Sequence, residues 1–173
     1  MRTALIAVLL VSASLSLSAA DRTQEILGAF TKSKHVNKQK RGVTKARFAE
    51  RHGEAAGAQS GTYTVDGLDF TLQLAVGADG TVRGSGNDRG RAFTLRNGRV
   101  AGSLLAATRV YADGTTSPLE GVFMVLVSRD GTTPEDAVTT RAYGLGVLPE
   151  TPVELDGMQL EKLFYARGSV PRS

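Results

Sequence analysis

Six Asp-Gly or Asn-Gly dipeptides punctuate the chain: Asp66-Gly67, Asp79-Gly80, Asn97-Gly98, Asp113-Gly114, Asp130-Gly131 and Asp156-Gly157. Asn, Asp and Gly accept the positive φ that tight hairpins require, so each pair is a local reason for the chain to reverse. Apolar residues recur with period two between them. Leu68, Phe70, Leu72, Leu74 and Val76 alternate with Asp69, Thr71, Gln73 and Ala75, the pattern of a strand with one buried face.

Turn chemistry and apolar pattern together predict a register. A two-residue turn at Asp66-Gly67 pairs Val65 with Leu68 and Tyr63 with Phe70. A three-residue Ala78-Asp79-Gly80 loop pairs Val76 with Val82. A two-residue turn at Asn97-Gly98 pairs Leu95 with Val100 and Phe93 with Gly102. About eight strands follow, near 61–66, 68–76, 81–86, 91–96, 99–111, 119–128, 141–148 and 153–166, the last split at Asp156-Gly157. The fold class is all-β: a single antiparallel up-and-down meander forming a small closed or partly open barrel, since closure removes exposed edges. A two-sheet β-sandwich is the alternative. Thr132–Thr140, with Pro134, Glu135 and Asp136, reads as an exposed loop.

The start of the chain has different chemistry. Arg2, an apolar run from Ala4 to about Leu17 and the small residues Ser18-Ala19-Ala20 are the three parts of a cleavable signal peptide. The expected organisation is a signal peptide over 1–20, a basic segment over 21–57 and a barrel-like domain over 58–173. Export to a periplasmic or extracellular location is expected, and the Gly-, Ala- and Arg-rich composition suits a bacterial envelope protein. No later stretch is long and apolar enough to span a membrane as a helix. The chain has no cysteine, so stability rests on burial and strand pairing rather than disulfides.

The formal charge of +4 is unevenly spread. Residues 21–57 carry nine Lys/Arg against four Asp/Glu, whereas residues 58–173 carry eleven against thirteen. Within the basic segment, Ile26, Leu27 and Phe30 predict one short helix with Asp21 or Thr23 as N-cap, and Thr44–Arg51 a second, capped by Gly53. Thr31–Gly42 between them is expected to be mobile, and Ala55–Ser60 to be a linker.

Four features are candidates for function. Gly84, Gly86 and Gly102 are expected to face inward, leaving either an apolar ligand cavity lined by Phe70, Leu72, Leu74, Phe93 and Met124 or space those side chains fill. Lys162 shares strand parity with Leu160 and Phe164 and is a cavity candidate for an anionic group. In the strand Gly121–Val127 both faces are apolar. A three-residue turn at Asp113-Gly114 puts Val122, Met124 and Leu126 inward and leaves Leu105, Phe123, Val125 and Val127 as an outward face. That face needs a cover, either a partner or the helix carrying Ile26, Leu27 and Phe30, and Gly144 and Gly146 would allow close approach.

The fourth feature is the cation series Lys32, Lys34, Lys38, Lys40, Arg41, Lys45, Arg47 and Arg51. Cations without interleaved aromatics suit low-specificity contact with anionic membrane or cell-wall components, or simply a solvated linker. Phe48 is the lone aromatic there, so sequence-specific nucleic-acid recognition is not expected.

Catalytic chemistry finds no motif. His35 and His52 lack metal-ligand spacing, and Gly84-Ser85-Gly86-Asn87 lacks the following helix that holds phosphate. No cofactor, metal or catalytic residue is implied. The reading is therefore a non-enzymatic exported barrel that binds a protein partner or small apolar ligand, with a basic arm. The alternative is a small hydrolase or isomerase using barrel carboxylates, for which Asp69 and Glu120 are the residues to inspect.

Overall fold

In the computed structural model, residues 18–40, 43–65, 69–148, 153–155, 158–160 and 164–169 are described. Helix α1 (Ala19–Phe30) precedes β1 (Lys32–Lys40), β2 (Val43–Ala55), β3 (Gly61–Thr64), β4 (Phe70–Val76), β5 (Thr81–Asp88) and β6 (Arg91–Ala101). Next come β7 (Leu104–Tyr111), β8 (Thr116–Gly131), β9 (Val138–Leu148), β10 (Val153–Leu155), β11 (Met158–Leu160) and β12 (Phe164–Ser169).

Strands β3 to β9 and β12 form the expected antiparallel meander, and β12 pairs back onto β3 to close an eight-stranded barrel. Strand β8 is longer than its neighbours. Its first half pairs with β7, its second half takes β2 on the same edge, and β9 runs along the other. At the handover, Phe123 N–H donates to the Ser103 carbonyl, and the Phe123 carbonyl accepts from Ala56 N–H. The β1–β2 hairpin thus extends the sheet beyond the barrel wall, with β1 as its edge.

Local chemistry explains most of the reversals. The three-residue loop at Asp79-Gly80 pairs Val76 with Val82, as expected, and the same geometry recurs at Asp113-Gly114. Both turns read Ala-Asp-Gly-Thr. In each, the Asp carboxylate accepts from the backbone N–H and hydroxyl of the Thr two residues on, at 3.0 and 2.6 Å for Thr81 and 2.9 and 2.5 Å for Thr115. Hydrogen bonds from these threonines hold both carboxyls below the usual aspartate range.

Several expectations need correction. Tyr63 pairs with Leu72 rather than Phe70, a two-residue shift that keeps all three inside. Asn97-Gly98 is not a hairpin turn. Asn97 adopts φ 54° inside β6, where the register to both neighbours slips. Left-handed Asn serves a bulge as well as a turn. The reversal occurs instead at Gly102-Ser103, with Gly102 at φ 62°, so Gly102 does not face Phe93.

This displaced reversal inverts the parity of β7 and β8. Val100 pairs with Leu105, and Leu105, Phe123 and Val127 are buried within the barrel wall or its core. Val122 and Met124 face outward, where Ile26 and Leu27 of α1 cover them, with Phe30, Leu104 and Leu126 at the margin. The covering helix is thus the expected one, laid over the opposite set of side chains. It starts earlier than predicted, capped by Ser18, whose hydroxyl accepts from Asp21 N–H at 3.1 Å. Arg22 reinforces the seat with a fork of two 2.8 Å hydrogen bonds to Glu120.

The basic segment also departs from expectation. Residues 32–40 and 43–55 form a hairpin, not a mobile stretch and a helix. Tertiary pairing decides this, because the ladder from β8 to β2 satisfies backbone groups over Phe48–Ala55 and gives β1 a template. The cores follow from these placements. The barrel core gathers Tyr63, Phe70, Leu72, Phe93, Leu105, Leu119, Phe123 and Leu145, among others, and a second cluster lies under α1.

Gly146 makes the helix seat close. A Cβ there would lie 2.6 Å from the Phe30 ring and 2.9 Å from Met124 Sδ. Gly146→Val is expected to cost about 1–3 kcal/mol by overpacking and to raise hydrogen exchange in α1 more than in the barrel. Unchanged α1 protection would contradict this seating.

Candidate anion-binding face and the barrel interior

The hairpin register sorts charge by face. Its rungs are Lys32 opposite Arg51, Lys34 opposite Ala49, Val36 opposite Arg47, Lys38 opposite Lys45, and Lys40 opposite Val43. Neighbouring residues of a strand alternate between faces, so these ten positions share one face of the ribbon. Seven of the eight sequence candidates fall there: Lys32, Lys34, Lys38, Lys40, Lys45, Arg47 and Arg51. Arg41 lies outside the described residues.

Acidic residues of β2 occupy the other face. There Glu50 pairs with Arg129 at 3.1 Å, and Glu54 pairs with Arg141 and meets His52 Nε2 at 3.3 Å. The Arg141 guanidinium holds the Glu54 carboxyl below the usual glutamate range. Arg129 also stacks 5.4 Å above the ring of buried Phe48. On the cationic face the described ion pair is Arg47–Asp130 at 2.7 Å, and its members are 70% and 55% exposed. Such an exposed pair is screened by solvent, and one acid leaves a series of seven cations strongly basic. Two rungs, Lys32–Arg51 and Lys38–Lys45, bring two basic positions opposite each other.

The other candidates sit elsewhere. Phe70, Leu72, Leu74 and Phe93 lie in the barrel core as their periodicity predicts. Met124 does not, because it packs under α1. Gly84 and Gly86 leave little room: a Cβ at Gly84 would lie 3.0 Å from Leu74 Cδ2 and 3.2 Å from Leu95 Cδ1, and one at Gly86 only 2.6 Å from Phe93 Cζ. Lys162 lies outside the described residues. The outward partner face is corrected, since Leu105, Phe123 and Val127 are buried and Val125 is half-buried on the same parity. Asp69 is exposed, and Glu120 is engaged by Arg22.

One interior group escapes sequence reading altogether. Arg109 is 3% exposed and donates to Asp88 at 3.0 Å and to the Pro118 carbonyl at 3.0 Å, with its guanidinium 5.9 Å from the Phe93 ring centroid. Asp88 also meets Arg89 at 3.0 Å. Arg109 pairs in register with buried Ser117. The signal was available as parity: Leu105, Ala107, Arg109 and Tyr111 alternate on one side of β7. The pair lies beside Phe93, a member of the barrel core.

Among the described residues, no three His, Asp or Glu side chains gather closely enough to share a metal ion. No helix among them is long and apolar enough to cross a membrane. Polar residues such as Gln73, Arg83, Ser85, Thr94 and Arg96 face outward from the barrel and apolar ones inward, the reverse of a lipid-facing barrel. Comparison with family models, curated proteins and solved structures returns no significant match.

Proposed function

We propose that the chain is an exported, non-enzymatic β-barrel module whose basic hairpin binds polyanions. The observation that carries this is the register that collects seven cations on one face while the acids of the same strand take the other. Export rests on the signal-like residues 1–20. A binding role fits a barrel whose core, among the described residues, gathers Phe70, Phe93 and Phe123, with buried Arg109 paired to Asp88.

Retention of the chain without residues 1–17 on immobilised heparin tests the reading. Binding at low salt is expected to weaken steeply with ionic strength, because bound counterions are released. The Lys34→Gln/Lys40→Gln variant is expected to elute at lower salt with unchanged melting temperature. Passage through the column at low salt would refute the proposal.

A further inference from the structure

We infer that the ligand of the hairpin is a linear phosphate- or sulfate-bearing polymer lying lengthwise along its strands, rather than a planar anionic surface. The inference rests on the polyanion reading above and specifies its ligand. Five consecutive rungs each carry at least one cation. They span roughly 27 Å at about 3.4 Å per residue, while the two strands stand only about 4.8 Å apart. The charge is therefore a line, several times longer than wide.

The sheet does not widen that line. On the same face, β8 contributes Asp130 beside Ala49 and Ser128 beside Arg51, and β9 contributes Val138 and Thr140 beyond them. Lateral neighbours are thus acidic or neutral, which a flat anionic surface would not reward. The uncharged positions of the rungs are Val36, Val43 and Ala49. Helices and ribbons that settle into a bilayer interface use large apolar or aromatic residues, and stacking on bases needs aromatic platforms. No aromatic residue stands at these ten positions, and the apolar ones are Val36, Val43 and Ala49, with Val138 of β9 beside them. Recognition would run through repeated charge alone.

Edge protection accounts for only part of the pattern. Lysines on an edge strand discourage pairing with other chains, and β1 is the edge of this sheet. Lys45, Arg47 and Arg51, however, lie on β2, which has a strand on each side.

The test uses the same chain with size-fractionated polyphosphate, heparin oligosaccharides and phosphatidylglycerol-containing vesicles at one ionic strength, read by titration calorimetry. Affinity for one or both polymers is expected to climb with length until the polymer spans the five rungs, then level off per site. The preferred polymer distinguishes phosphate from sulfate chemistry. Vesicles at equal anion concentration are expected to bind about ten-fold more weakly. Lys38→Gln/Lys45→Gln removes both basic residues of one rung and should leave the fold intact while lowering long-polymer affinity about ten-fold. The exposed pair Arg96→Gln/Arg99→Gln on the barrel wall serves as control and should bind as the parent does. Vesicle binding as tight as polymer binding, or affinity independent of length, overturns the linear ligand while leaving the polyanion reading standing. Absence of binding to all three probes overturns both.

Discussion

Phe123→Ala is expected to destabilise the protein by about 3–5 kcal/mol, a large part of the 5–15 kcal/mol typical of a domain. The side chain is fully buried and meets Tyr63 edge-on, with ring centroids 5.9 Å apart. It also stands where β8 exchanges β7 for β2, so a cavity there loosens both ladders. Chemical denaturation of the variant measures the effect. A midpoint equal to that of the parent would mean that Phe123 faces outward, as its strand read alone suggests.

The second large effect concerns Arg109. Asp88→Ala takes the carboxylate from a guanidinium that remains buried, and removing one partner of a buried pair typically costs about 3–5 kcal/mol. Replacing both members by apolar residues, as in Asp88→Ala/Arg109→Met, is expected to recover much of that loss, because it removes the buried charge along with its partner. The two single variants and the double variant, unfolded in urea, form a thermodynamic cycle. A loss below about 1 kcal/mol for Asp88→Ala would show that water reaches Arg109 and that the fold does not depend on the pair.

The barrel was legible in the sequence wherever a turn left no choice. Ala78-Asp79-Gly80 could close only one loop that kept Val76 opposite Val82, and the structure has it. Asn97-Gly98 was ambiguous, since a left-handed Asn ends a hairpin or bulges a strand, and apolar pattern alone did not decide. That single ambiguity carried through every later parity, exchanging the inward-facing and outward-facing sets of β8. Arg109 went unseen because a lone arginine in a strand ordinarily faces water, and one of its partners, Asp88, lies on another strand. The hairpin was missed because it owes its form to pairing with β8, a strand distant in sequence. Yet its face was written plainly: Lys32, Lys34, Lys38 and Lys40 all fall on even positions, and Lys45, Arg47 and Arg51 on odd ones. Across a hairpin turn, those two parities meet.

Closure of the barrel has a kinetic corollary. Most strand pairs in the meander join chain neighbours, so they form by zipping hairpins at small loop-closure cost. The β12–β3 contact joins opposite ends of the meander and is short, with three register pairs among the described residues against eleven between β8 and β9. Sequence separation makes it the slow, late step of assembly. The same brevity makes it the first to part when the native barrel breathes. The wall therefore has a direction of opening, and anything that reaches the interior without global unfolding enters along that seam.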